Sequence, residues 1–140
     1  MSVEENKEVV RREIEGVWVK RNLMAIDDLY DSNFVNHSPF PDTTSDREGI
    51  KHGIQNVLNA FPDIELTIED LIAENDKVVE RVTATGTHKG EFMGIIPTNK
   101  RVTFPVITIN RFADGKIIER WSLADSLDML QQLGITLSTE

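Results

Sequence analysis

The hydrophobic period of this chain changes at Ile64, and that change limits which folds remain open to it. Before Ile64 apolar residues recur at helical spacing. Val9, Val10, Ile14, Val17 and Trp18 lie among charged residues at intervals of three and four, which predicts a helix over 4–21. A second short helix is expected at about 23–31, with Leu23, Ile26, Leu29 and Tyr30 on its apolar side. The stretch 39–45, with Pro39 and Pro41 among small polar residues, breaks periodicity and reads as a loop. Ser45 stands three residues before Glu48, a capping-box spacing that predicts a third helix at about 46–61, stopped by Pro62.

From Ile64 the period is two. Ile64, Leu66 and Ile68 alternate with Glu65, Thr67 and Glu69, as in a half-buried strand. Further strands are expected from Lys77 to about His88, from Lys100 to Ala113 and from Lys116 to about Asp125. Glu74-Asn75-Asp76 reads as a turn. Asp114-Gly115 is a hairpin signal, because both residue types accept the positive φ angles of a tight turn. Residues 126–133 read as a short closing helix. Helices followed by consecutive hairpin strands imply an α+β fold, not a parallel βαβ one. Long adjoining strands twist and coil, so helices laid over the concave face of such a curved antiparallel sheet would leave a cavity.

With 140 residues the chain is expected to form a single domain over 1–140, large enough to bury a core without covalent staples. It has no cysteine, which excludes disulfides, thiolate metal sites and a cysteine nucleophile, and which fits a reducing compartment. The net charge of −9 repels phosphate backbones and anionic lipid, so nucleic acid is not an expected partner. Met1 to Lys7 lacks the apolar stretch of a signal peptide, and no run approaches the ~18 apolar residues of a membrane span. A cytoplasmic protein without membrane contact is the expectation. The histidines show no His-x-x-x-His spacing, so no metal is expected. Phosphate loops, dinucleotide fingerprints and Gly-x-Ser-x-Gly elbows are absent, and no cofactor is implied. The glycine-bounded, mostly apolar stretch 90–97 reads as a lid or dimer-contact loop.

The last expected strand draws most attention. Alternation places Ile117, Glu119, Trp121, Leu123 and Asp125 on one face, the face expected to turn inward. A carboxylate among Trp and Leu is costly to bury, so it pairs, neutralises or serves function. Asp125 can serve either as the cap of the helix at 126–133 or as a group facing the cavity. Glu119 is expected to be structural, paired with an arginine of a neighbouring strand. His37, after Asn36, and His88, in Gly86-Thr87-His88-Lys89-Gly90, both stand at strand ends where pocket rims are built. His52 reads as solvent-facing.

In order and spacing, these motifs resemble the SnoaL-like polyketide cyclases (ester cyclases), a branch of the nuclear transport factor 2-like cone fold. The resemblance runs from about Phe34 to Gly134. It rests on Asn36-His37, Phe61-Pro62-Asp63, the run Gly86 to Gly94, Pro97-Thr98-Asn99-Lys100, Asp114-Gly115-Lys116-Ile117, Glu119-Arg120-Trp121 with Asp125 four residues after the Trp, and Gln132-Leu133-Gly134. Asn36 replaces an acidic residue common before this histidine, and Asn99 replaces the usual glycine of a Pro-Thr-Gly turn. The resemblance implies a cone-shaped barrel around a deep apolar cavity, homodimerisation through the sheet, and cofactor-independent intramolecular aldol condensation. It implies Asp125 as the acid/base. It places His37 and His88 near the cavity mouth, with Asn36, Trp121 and Leu123 as further substrate contacts. The expected ligand is a small apolar or aromatic carbonyl compound, and isomerisation or dehydration would need the same groups. The other reading is a dimeric binding protein of the same fold that performs no chemistry.

Overall fold

In the computed structural model residues 2–135 are described. Helix α1 (Val3–Glu13) opens with a complete capping box: Ser2 Oγ accepts from the Glu5 amide at 3.1 Å, and Glu5 Oε1 accepts from the Ser2 amide at 3.3 Å. Its expected continuation to residue 21 is not a plain α-helix. From Ile14 to Val19 the backbone is π-helical, and the Lys20 amide reaches back to the Glu15 carbonyl at 2.9 Å. Such wide turns are uncommon and concentrate at functional sites. The next helix is shorter than expected: α2 covers only Ala25–Leu29, and Tyr30 begins strand β1 (Tyr30–Asn36). The end of that strand before His37 is as expected, but its polar composition hides its start, because its hydrogen bonds come from parallel pairing with the last strand, a long-range contact.

Helix α3 (Arg47–Ala60) lies where capping and Pro62 place it, with one correction. Asp46, not Ser45, is the cap, and its Oδ1 accepts from the Gly49 amide at 2.9 Å. The Ser45 carbonyl is taken by the Asn36 amide, and Glu48 pairs with Lys51.

Strands β2 (Glu65–Glu74), β3 (Lys77–Thr87), β4 (Arg101–Ala113) and β5 (Lys116–Ala124) form an antiparallel meander, joined on its β5 side by parallel β1. The five-stranded order is β1-β5-β4-β3-β2. Asn75, Asp114 and Gly115 take the positive φ angles of the two hairpin turns. Asn99 has φ 60°, a left-handed position that asparagine tolerates better than most residues. Helix α4 (Ser126–Gln132) closes the chain over the end of β4 that β5 does not reach. There the Gln132 side-chain amide imitates a strand, accepting from the Thr103 amide at 2.8 Å and donating to its carbonyl at 2.7 Å. No described helix is long and apolar enough to cross a membrane.

Irregularities in the β1–β5, β2–β3 and β4–β5 ladders bend the sheet. The one between β4 and β5 also decides which side chains face inward. Phe112 pairs with Ile117 but Arg111 pairs with Glu119, so Ile118 is an extra residue. Ile117 is buried against the core, and beyond the bulge the inward set is Arg120, Ser122 and Ala124. The odd-numbered set, expected inside, is outside: Leu123 is 81% exposed. A single inserted residue moves every later side chain to the opposite face.

Candidate active site

The concave face of the sheet, the π-helical turn and α3 enclose a cavity of about 250 Å³. Its wall is mainly apolar, with Trp18 from the π-helical turn, Phe61 after α3, and Val82, Phe104 and Val106 from the sheet. Against this surface stand two carboxylic acids and one guanidinium: Glu13, Glu80 and Arg120. Glu13 ends α1 on the stripe that also carries Val9 and Val10, and it immediately precedes the π-helical turn. Glu80 alternates in β3 with buried Val78 and Val82. The two acids are 4% and 8% exposed.

Burial penalises both charged forms. The Glu13 carboxyl is pushed from its ordinary 4.5 to about 7, first by desolvation and then by the charge of Glu80, against the pull of Arg120. Glu80 is also raised by desolvation, but Arg120 and a 2.8 Å hydrogen bond from Asn110 Nδ2 oppose the rise. Arg120 closes no direct ion pair with either acid among the described residues. Its positive charge is therefore shared between them and remains available to the cavity. The Tyr30 hydroxyl, fully buried beside Glu13, is held protonated by desolvation and by that neighbouring carboxylate. A carboxyl that titrates near neutrality can both take and return a proton at working pH.

The residues singled out from sequence lie elsewhere. Asp125 is exposed and caps α4, its Oδ1 accepting from the Asp128 amide at 3.1 Å; of the two roles open to it, the structure shows the cap. The bulge turns Trp121 and Leu123 to the outer face. His37 stacks on Trp121 there, ring centroids 4.8 Å apart and 10° from parallel. Its Nε2 is 3.6 Å from Glu119, which in turn is bound by Arg111 at 2.6 Å, the expected arginine partnership. Arg111 is the main reason that the Glu119 carboxyl lies below its ordinary range.

Asn36 is buried and turns the chain, its Oδ1 accepting from the Ser38 amide. His88 is wholly buried, with Nδ1 accepting from the Thr98 amide at 3.2 Å and its ring beside Phe61. It anchors the base of the loop that carries Phe92 and Met93. None of these six side chains lines the cavity. The residues that sequence reasoning missed, Glu13 and Glu80, did carry a signal: each is an acid at a position whose helical or strand neighbours are all apolar.

A curved α+β cone whose apolar cavity holds a buried acid pair and an arginine defines a small-molecule pocket protein of the nuclear transport factor 2-like class. A family model described as SnoaL-like polyketide cyclase matches residues 8–133, and the chain belongs to that family. Among solved structures it is similar to AclR from Streptomyces galilaeus, a candidate hydroxylase (33% identity, 95% of this chain and 98% of that one, TM-score 0.83). It is similar to IdmH from Streptomyces antibioticus, a candidate polyketide cyclase (30% identity, 93% and 99%, TM-score 0.80). TsrD from Streptomyces laurentii shares the fold at 24% identity (97% and 99%, TM-score 0.88). No curated protein matches the sequence at a significant level.

Proposed function

We propose that the protein is a cofactor-independent acid/base enzyme of the polyketide cyclase type, acting on a carbonyl compound held in the apolar cavity, with Glu13 as proton acceptor and donor. The observation that carries this reading is a carboxyl raised to about 7 in the cavity wall, backed by a second acid and an unpaired guanidinium. Ionised Glu13 removes a proton from a carbon between two carbonyls, and the negative charge spreads onto their oxygens beside Arg120. The carbanion attacks a further carbonyl carbon, remote from those two, in the same molecule. One carbon–carbon bond forms, and the resulting alkoxide takes the proton back from Glu13. The sum is an isomerisation that consumes no oxidant or reductant.

The test is a pH profile with slowly cyclising β-dicarbonyl compounds. Log kcat/KM should rise with pH and level off through an apparent pKa near 7. Asp125→Asn should leave both profile and rate within a factor of about three, whereas Asp125→Ala should lose ~1 kcal/mol of stability through its cap. A profile flat across the neutral range, or an Asp125→Asn variant slowed ~100-fold, would move the acid/base role away from Glu13. Turnover by none of these compounds, with binding retained, would favour the binding-protein reading.

The same reading includes a homodimer joined across outer sheet faces, in the cytoplasm. On that face Ile107 (48% exposed) lies opposite Leu123 (81%), Ile109 lies opposite Trp121, and Val35 on β1 is 41% exposed. A contiguous apolar surface of this kind marks an interface. Light scattering should return twice the 15.9 kDa of one chain, and Leu123→Glu should shift the protein toward monomer. A monomer at micromolar concentration would refute the dimer.

A further inference from the structure

Part of the cavity wall is α3, through Val57. Beside the cavity, and sharing part of its wall, lies a second, wider pocket of about 670 Å³, the outer chamber, bounded by α3, the loop at 40–42 and the loop at 91–94. Phe40, Pro41, Val57, Phe92 and Met93 line both spaces, so they form an apolar collar between them. The collar is built in place. The Phe40 ring lies directly on Gly53, where a Cβ would come within 2.0 Å of it. Opposite, the Phe92 and Ile95 backbones bond to each other at 3.1 and 2.8 Å, and Met93 and Gly94 take φ angles of 51° and 80° at the tip of that turn.

Chemically the two chambers differ. The inner one is apolar apart from its acid pair, arginine and a few hydroxyls. Polar groups of the outer one are Asp42, His52, Asn56, Asn59 and Glu91, with no lysine or arginine in its lining. Neither Asp42 nor Glu91 has an ion-pair partner or side-chain hydrogen bond among the described residues.

We infer that the ligand has two parts: a compact apolar carbonyl head in the inner chamber, joined through the collar to a hydrogen-bond-donating arm without negative charge in the outer one. The head rests on the function proposed above, whereas the arm rests on the outer chamber alone. Size is the first argument. Ligand pockets commonly span roughly 300–1,000 Å³, and an inner chamber of about 250 Å³ falls below that range. A ligand large enough to fold back on itself therefore extends through the collar. Charge is the second. An anionic arm would meet two carboxylates and no cation, on a chain of net charge −9, and would be rejected; an ammonium or hydroxyl arm finds acceptors.

The inference is tested by binding. Trp121→Phe leaves Trp18, in the inner wall, as the sole tryptophan, and its fluorescence reports occupancy of the inner chamber. The probes are 1,3-cyclohexanedione and the same ring bearing a hexyl arm that ends in an amine or a carboxylate. The amine-terminated probe should bind at least ~10-fold more tightly than the carboxylate-terminated one. Asp42→Asn with Glu91→Gln should bring that ratio close to one and leave affinity for the bare ring unchanged. Equal affinities of the two armed probes in the parent would overturn the inference, and calorimetry on the unmutated chain gives the same ratio if Trp121→Phe folds poorly. The arm ratio is read without turnover. Catalysis that survives Glu13→Gln would remove the acid/base reading and leave this ratio intact, so the two can fail separately.

Discussion

Glu13→Gln is expected to be inactive and, above neutral pH, more stable than the parent. Gln has nearly the shape and polarity of a protonated glutamic acid but cannot accept a proton. Loss of a general base should lower kcat by at least ~10²-fold. The stability effect follows from linkage. The folded-state value of Glu13, about 7, lies above its ordinary 4.5, so the folded protein holds this proton more tightly than the unfolded chain does. Below 4.5 both states are protonated and the group contributes nothing to pH dependence. As pH rises from 4.5 to 7 the unfolded chain ionises first, and folding loses stability at about 1.4 kcal/mol per pH unit for this group. The parent should therefore lose about 3 kcal/mol across that window, and the Gln variant should not lose it. For a domain this size the gap at pH 8 corresponds to roughly 10 °C in Tm. Equal melting temperatures for the two proteins at pH 8 would contradict burial of an ionised Glu13, and undiminished turnover would contradict its role. A site that lowers stability in order to hold a poised acid is a familiar trade between stability and activity.

Much of the scaffold was legible because it depends on local signals. Helix α3 is punctuated in the sequence by the small polar residues before it, although the cap proved to be Asp46 and not Ser45, and by Pro62 that ends it, and the two hairpins have turn residues that accept positive φ. What was not legible depends on partners far away in the chain. Strand β1 contains Asp31, Ser32, Asn33 and Asn36, a composition that alternation cannot read, and it is a strand because β5 lies beside it. The π-helical turn after Glu13 has no sequence mark, since a continuous α-helix presents the same apolar residues.

The inward face of β5 was misread by one residue. Ile117 and Ile118 are both apolar, so nothing in the sequence shows which of them the β4–β5 bulge leaves unpaired. Strict alternation then carried Glu119, Trp121, Leu123 and Asp125 to the inner face, where the structure has Arg120, Ser122 and Ala124. The bulge converts an apparent carboxylate strand into one that delivers a cation. The acids come instead from α1 and β3. There they were visible as charges out of place: Glu80 between Val78 and Val82, and Glu13 on the stripe of Val9 and Val10. A buried acid in an apolar register is a stronger pointer to function than an acid at the end of a strand, where capping accounts for it.

Arg120 gives that arrangement its second severe test. It is the cation whose charge opposes the upward shift of Glu13, Glu80 and Tyr30 together. With Arg120→Met the two acids would share a desolvated space with no counter-charge, and ionising either would become harder. Their proton affinities should therefore rise further, and the rising limb of log kcat/KM should move to higher pH than in the parent. Loss of positive charge beside the developing enolate should add a fall in kcat of ~10²-fold, the scale seen when a single oxyanion donor is removed. Stability should fall at pH 8, where a nearby counter-charge has been removed from buried carboxylates. Near pH 5 both acids can remain protonated, so most of that loss should return. Arg120→Lys, which keeps the charge but not the planar fork, should restore most of the stability and only part of the rate. Thermal melts of the Met variant that show the same deficit at pH 5 and pH 8 would mean that Arg120 acts by packing alone. The electrostatic coupling of the three side chains would then have to be abandoned.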